Sequence, residues 1–178
     1  MRKFIAALSL LLAIPVYGQN VSYYPVGPHG LEAGIVAISL AITTATTSAE
    51  TMYSYTIPAG ALISYPGFRV MSFADSANNA NAKTFTLRFG AAGPAIAGLA
   101  MSVGPNTIGG IVADCFVATS STIICLHNRT TAAGTNGMSA SSLAFDPAVA
   151  NTLIVQGTTP TAAGDLTLRS FALYFFRP

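Results

Sequence analysis

Apolar and polar side chains alternate with a period of two along most of this chain, and helical periodicity is almost absent. Such alternation is typical of half-buried β-strands. It is clearest over residues 84–89. The other predicted strands are residues 36–42, 52–57, 68–73, 110–117, 122–128, 153–156 and 166–176.

Three segments carry more detail. In the strand before Pro58, the alternation places Met52 on the polar side. In residues 166–176 the apolar positions switch from even to odd numbers, which predicts a β-bulge at Arg169 and Ser170. Residues 91–101 fit a short helix and a strand of small residues equally well.

Segments that favour turns separate the predicted strands. They are residues 58–60, 76–79, 90–94, 131–137 and 158–164. Each offers Gly, Asn or Pro for the backbone angles that turns require. About eight short strands joined in this way predict an all-β fold, a jelly-roll-like antiparallel β-sandwich. We expect a single domain over residues 20–178, with the loops 76–82 and 131–141 facing outward.

Residues 1–19 have the features of an export signal. Arg2 and Lys3 precede an apolar run over residues 4–14, and small residues follow Pro15. The run is shorter than the roughly 20 residues that a membrane-spanning helix needs. We therefore expect no membrane contact in the mature form. The alternative is an uncleaved hydrophobic arm that packs on a neighbouring subunit.

Charge is scarce. The chain has 178 residues, of which 52% are hydrophobic and only 8% charged, with eight basic and six acidic side chains. Removal of residues 1–19 takes away two of the basic residues and brings the net charge to zero. Nucleic-acid binding needs clustered Lys and Arg, and the chain has no such cluster. A surface with so few charges favours a subunit that exists in an assembly.

The sequence offers little for catalysis. It has no nucleophile elbow, phosphate-binding loop or zinc-protease motif, and its carboxylates are scattered singly. We expect that the protein is not an enzyme and that it binds no cofactor. The parity of Cys115, Cys125 and His127 would allow them to lie on one face of the sheet. Their spacing matches no zinc pattern, so no metal is expected. His29 is interpreted as a loop residue.

The two cysteines lie in consecutive predicted strands. A three-residue loop over residues 119–121 would place Cys115 opposite Cys125, close enough for a disulfide after modest adjustment. A two-residue turn would shift the register and separate them. We favour the disulfide, which export would permit. The alternative is two buried thiols that act as small hydrophobic groups.

Aromatic residues cluster near both ends of the mature chain. Tyr23 and Tyr24 lie at its start, and Tyr174 and Phe176 flank Phe175 at its end. Phe175 is expected in the core. The other four are candidates for a subunit interface or a stacking platform for sugar.

Three stretches together resemble β-sandwich virion proteins of tailed bacteriophages and prophages, of the decoration, head-fibre or tail-associated type. They are residues 55–62 (YTIPAGAL), 78–90 (NNANAKTFTLRFG) and 151–168 (NTLIVQGTTPTAAGDLTL). The resemblance spans about residues 50–176 and implies a non-catalytic structural domain, often a homotrimer, displayed on a particle. The export-like start and the cysteine pair depart from that pattern.

These observations lead to one functional hypothesis and one alternative. The first is a structural protein of a virion or phage-like particle surface that self-associates as a homotrimer or larger assembly and contacts other virion proteins. The alternative is a secreted module that binds a glycan or another cell-surface partner. Both readings place the protein on a virion surface or outside the cell.

Overall fold

The computed structural model describes residues 35–90, 93–101, 107–131 and 134–176, which form ten strands and one short helix. The elements are β1 (Ile35–Thr43), β2 (Glu50–Ile57), α1 (Ala61–Ser64), β3 (Gly67–Ser76), β4 (Thr84–Phe89), β5 (Ala95–Ala100), β6 (Thr107–Thr119), β7 (Thr122–Thr131), β8 (Gly134–Ala144), β9 (Asn151–Thr158) and β10 (Leu166–Phe176). Of the described helices, none has the length and apolarity to cross a membrane. The segment 1–19, Tyr23, Tyr24 and His29 lie outside the described residues.

The strands form two antiparallel sheets. One has six strands in the order β1-β10-β3-β6-β7-β8, and the other has four in the order β2-β9-β4-β5. Every described pairing is antiparallel. The chain crosses repeatedly from one sheet to the other, and only β4–β5 and β6–β7–β8 continue within a sheet. The predicted antiparallel β-sandwich is confirmed.

Apolar side chains from the inner faces of both sheets fill the space between them. The largest of these side chains that are fully buried are Phe68, Phe85, Phe171, Ile57, Leu87, Ile96, Leu99, Met101, Ile111, Ile123 and Leu143. The rings of Tyr53 on β2 and Phe171 on β10 lie 4.8 Å apart between centroids. Burial of this surface is the main force that holds the two layers together.

The β-bulge predicted in β10 is present. The pairing of β10 with β3 shifts between Leu168 and Ser170, which leaves Arg169 as the extra residue. Side chains on both sides of the bulge therefore point inward, so that Leu168 and Phe171 are fully buried. The extra residue explains why the apolar positions of this strand switch from even to odd numbers.

A second bulge makes one assignment wrong. Met52 was expected on the polar side of its strand, but its exposure is 5%. The pairing of β2 with β9 shifts between Thr51 and Tyr53, so Met52 is the extra residue and its side chain turns into the core.

The interpretation of residues 131–141 as an outward loop is also wrong. Most of this stretch belongs to β8, which pairs with β7 from Thr122↔Ala144 to Thr131↔Gly134. Its small Ser, Ala and Gly residues give no apolar alternation. Over residues 138–144, where side-chain burial is described, Leu143 is the one large buried side chain. Pairing with β7 therefore decides its conformation. The open question over residues 91–101 is settled for β5, which is a strand.

Candidate functional surface

The outward side of the six-stranded sheet carries a group of large apolar side chains. Alternation along each strand and the cross-strand pairing determine which residues share it. We call this surface the outer face and define it by Arg69, Met71, Phe73, Asp75, Ile108, Val112, Asp114, Phe116, Ile124, Leu126, Asn128, Met138, Ala140, Ser142, Tyr174 and Phe176.

Two of the residues singled out in the sequence lie on the outer face. Tyr174 and Phe176 are half-buried there, whereas Phe175 between them is 7% exposed and packs in the core. The Phe176 ring contacts Phe116 edge-on, with centroids 5.5 Å apart. Their position fits an interface role, which stays a prediction.

Aromatic rings lie flat against the outer face. A Cβ on Gly110 would come within 2.6 Å of Cε1 of Phe73, and a Cβ on Gly67 would collide with the Phe176 ring. Each ring therefore covers a glycine of the neighbouring strand, an arrangement that fills the space left by the missing side chain. As a result the rings do not project far from the sheet.

Several large apolar side chains on the outer face are open to solvent. Among the described residues, six large hydrophobic side chains are substantially exposed, and four of them belong to this face: Ile108, Ile124, Leu126 and Met138. Leu126 is 41% exposed and Met138 75%. Apolar side chains gathered on one surface in this way mark sites of interaction.

An ion pair joins the two central strands of the outer face, one outward position from the start of β3. Nε and Nη2 of Arg69 donate to Oδ1 and Oδ2 of Asp114 over 2.6 and 2.8 Å. These two residues face each other on β3 and β6, the two central strands of the six. The hydrogen bonds to Asp114 raise the pKa of the Arg69 guanidinium above its ordinary value.

A second ion pair lies at the margin of the same face. Nε of Arg169, at the bulge, donates to Oδ2 of Asp75. Beside this pair is an open depression of about 390 Å³. It is lined by Asp75, Ser76, Ala77, Ile108, Gly164, Thr167 and Arg169.

The predicted disulfide is present between Cys115 and Cys125, which are directly paired and fully buried. The predicted loop is wrong, however. Thr119 pairs with Thr122, so the turn has only two residues. The register shifts between Val117 and Thr119, and this bulge at Ala118 restores the alignment that a two-residue turn alone would lose.

His127 shares the inward face of β7 with Cys125, as its parity predicted. The two sulfurs are bonded to each other and so are not free as metal ligands. No group of three metal-ligating residues occurs in the described ranges. Burial, followed by the nearby charge of Arg129, lowers the pKa of His127. This histidine belongs to the interior and not to the outer face.

A buried polar cluster fixes the connection between β3 and β4. The carboxylate of Asp165 accepts hydrogen bonds from Nδ2 of Asn79 (2.9 Å) and of Asn81 (2.7 Å). Nζ of Lys83, which is 2% exposed, donates to Oδ1 of Asn79 (2.6 Å) and the carbonyl oxygen of Asn81 (3.0 Å). The loop 76–82, expected to face outward, therefore exposes Asn78 and Ala80 but turns the two asparagines that contact Asp165 inward.

The hydrogen bonds from Asn81 and Asn79, with a smaller contribution from the charge of Lys83, lower the pKa of Asp165. A buried charge held by several donors is costly to disturb. Both oxygens of Asp165, both side-chain polar atoms of Asn79 and Nζ of Lys83 have partners within this cluster, so the cluster anchors the loop. Sequence reasoning missed it, because Asp165 lies more than 80 residues from both asparagines.

Comparison with known proteins adds little about function. No protein-family model and no curated protein matches this sequence. Among solved structures, the CBM2 module of the evolved Dit of Lactobacillus casei BL23 phage J-1 is 14% identical, with a TM-score of 0.42, over 86% of this chain and 81% of its own. A protein of unknown function from Shewanella oneidensis MR-1 is 10% identical, with a TM-score of 0.40, over 89% of this chain and 76% of its own. At this distance neither similarity assigns a function.

Proposed function

We propose that this chain is a non-catalytic structural protein of a virion or phage-like particle surface, and that it acts by self-association through the outer face. The outer face carries the proposal, because it is broad, mostly apolar and neutralised by its own ion pairs. The sequence resemblance to phage β-sandwich proteins supports the particle setting. Its partners are further copies of itself and other proteins of the particle.

The size of the outer face is sufficient for a stable contact. The outer face takes in the five strands β10, β3, β6, β7 and β8. At about 4.8 Å for each strand, with about ten residues each at 3.3 Å per residue, they span roughly 25 by 30 Å. Such an area is close to the roughly 800 Å² that one partner contributes to a standard protein interface. The exposed Leu126 and Met138 side chains, together with the Phe73 and Phe176 rings, supply its apolar content.

The disulfide supports a location outside the reducing cytoplasm. Disulfides persist mainly in secreted proteins and on virion or cell surfaces. The Cys115–Cys125 bond joins two adjacent strands of the sheet that bears the outer face. It therefore suits a protein that works on a particle surface or outside the cell.

One observation favours the alternative, a secreted module that binds a glycan. The depression beside Asp75 and Arg169 combines a carboxylate, a guanidinium and the Thr167 hydroxyl with the apolar surface of Ile108. Sugars are recognised by hydrogen-bonding groups placed beside apolar surface, so this depression is where we would expect a glycan on that reading.

The two functions predict different oligomeric states. We expect purified full-length protein to form a stable homo-oligomer in sedimentation velocity across a dilution series, and to keep that state in high salt because apolar contacts dominate. A glycan array on the same preparation should show no binding. A monomer at all concentrations that binds a defined glycan would replace the structural proposal with the binding module.

A further inference from the structure

The arrangement of charge on the outer face indicates how two copies would meet. Arg69 and Asp114 stand side by side on the two central strands, while most of the surrounding positions are apolar. The other ion pair, Asp75 with Arg169, begins six residues further along β3, about 20 Å away at 3.3 Å per residue. The centre therefore has a single positive group beside a single negative group.

We infer that two copies of this chain stack outer face on outer face about a two-fold axis that lies between the two faces, runs parallel to the strands and passes between Arg69 and Asp114. This inference deepens the proposed function and depends on it. A rotation of 180° about that axis places the Arg69 guanidinium of each copy against the Asp114 carboxylate of the other. Four alternating charges then meet at the centre, and apolar side chains surround them.

A second copy fits this surface because the surface complements itself. A second copy carries the same positive and negative groups side by side. Each group meets its opposite in the other copy only when the order of the two is reversed, and a two-fold axis parallel to the strands produces that reversal. A two-fold axis perpendicular to the strands would instead set Arg69 over Arg69 and Asp114 over Asp114. The flat rings of Phe73 and Phe176 permit the approximately 10 Å separation at which stacked sheets pack.

Charge exchange at the two central positions tests this geometry. Arg69→Glu leaves two acids at the centre, and Asp114→Arg leaves two bases. Like charges then face each other in the pair, so we expect each variant alone to self-associate about a hundredfold more weakly than the wild type. An equimolar mixture of the two variants should pair again, because an acidic centre then faces a basic one.

The double variant Arg69→Glu/Asp114→Arg keeps the internal ion pair with its signs exchanged, so it gives a result even if a single variant fails to fold. It should pair with itself as the wild type does, because the charges again alternate across the axis. It should not pair with the wild type, because each of its central charges would then meet a like charge. Differently tagged proteins in a pull-down measure both outcomes.

The marginal ion pair provides the matched control. The Arg169 and Arg69 side chains are 52% and 51% exposed, and each binds one aspartate on this face. Arg169→Glu makes the same charge change at the margin of the face, about 20 Å along the strands from the central pair, so it should weaken self-association far less than Arg69→Glu does.

The outcomes separate the two proposals. A monomeric wild type overturns both the proposed function and this pairing. A wild type that assembles while Arg69→Glu assembles equally well, or a double variant that mixes freely with the wild type, overturns the pairing alone. An assembly with an odd number of subunits, as the phage resemblance implies for trimers, also overturns it, whereas pairs or assemblies of pairs support it.

Discussion

Removal of the Cys115–Cys125 disulfide should destabilise the fold by an amount that its position allows us to work out. The bond closes a loop with a sequence separation of ten. The loop-closure entropy that such a crosslink removes from the unfolded chain corresponds to about 2.7 kcal/mol at 25 °C. Both cysteines are fully buried, so replacement by alanine also leaves space in the core, which adds about 1 kcal/mol or more.

The variant to measure is Cys115→Ala/Cys125→Ala, by urea unfolding at a single protein concentration. We expect a loss of about 3–5 kcal/mol in the free energy of unfolding. With a urea dependence of about 1–3 kcal/mol per molar, the midpoint should fall by more than 1 M. The single concentration matters because self-association adds to apparent stability by mass action.

Reduced wild-type protein is the control, since it lacks the crosslink but keeps both sulfur atoms in the core. Reduction should remove most of the contribution that loop-closure entropy makes to the free energy of unfolding, and little of the contribution from core packing. A double variant whose midpoint matches that of the oxidised wild type would refute the reasoning. It would mean that the hairpin between β6 and β7 persists in the unfolded chain, so that the crosslink restricts nothing further.

Two other sites give testable outcomes. The lowered pKa of Asp165 means that its stabilising effect is present above the ordinary value near 3.8 and is lost as the pH falls through the folded-state value. The melting temperature of the wild type should therefore fall steeply below about pH 4. Asp165→Asn should lower the melting temperature by several degrees at pH 7 and make it depend less on acid. A variant whose melting temperature changes with pH in parallel with that of the wild type would contradict this. Gly110→Ala places a Cβ against the Phe73 ring and should cost about 1–3 kcal/mol in chemical unfolding. Gly98→Ala, whose nearest atom lies at 3.8 Å, is the matched control and should cost less; equal losses would show that the ring moves aside freely.

The sequence predicted the fold where local pattern and burial agree. In β4 and β10 large buried side chains occupy every second position, and in β10 this alternation changes phase at Arg169. Alternation alone therefore identified both strands and the bulge. In β8 small residues face both sides, and no contrast marked the strand. The bulges at Met52 and Ala118 insert one residue each, and only pairing with a neighbouring strand reveals them.

The candidate surface was predicted only in part. The parity of β10 correctly placed Tyr174 and Phe176 on the side opposite Phe175, because that rule needs no knowledge of other strands. The central ion pair could not be found in this way, since Arg69 and Asp114 lie 45 positions apart. Their contact requires the register of β3 with β6, which arises from the assembly of the whole sheet.

Sedimentation velocity on the full-length wild type, Leu126→Glu and Ile63→Glu tests most directly whether the outer face mediates self-association. Leu126 is an exposed aliphatic residue on the outer face, next to Asp114 across β6 and β7, whereas Ile63 is an exposed aliphatic residue on α1. We predict that the wild type and Ile63→Glu sediment as the same oligomer and that Leu126→Glu sediments as a folded monomer. A wild-type monomer, or a Leu126→Glu protein that assembles as the wild type does, would contradict the account.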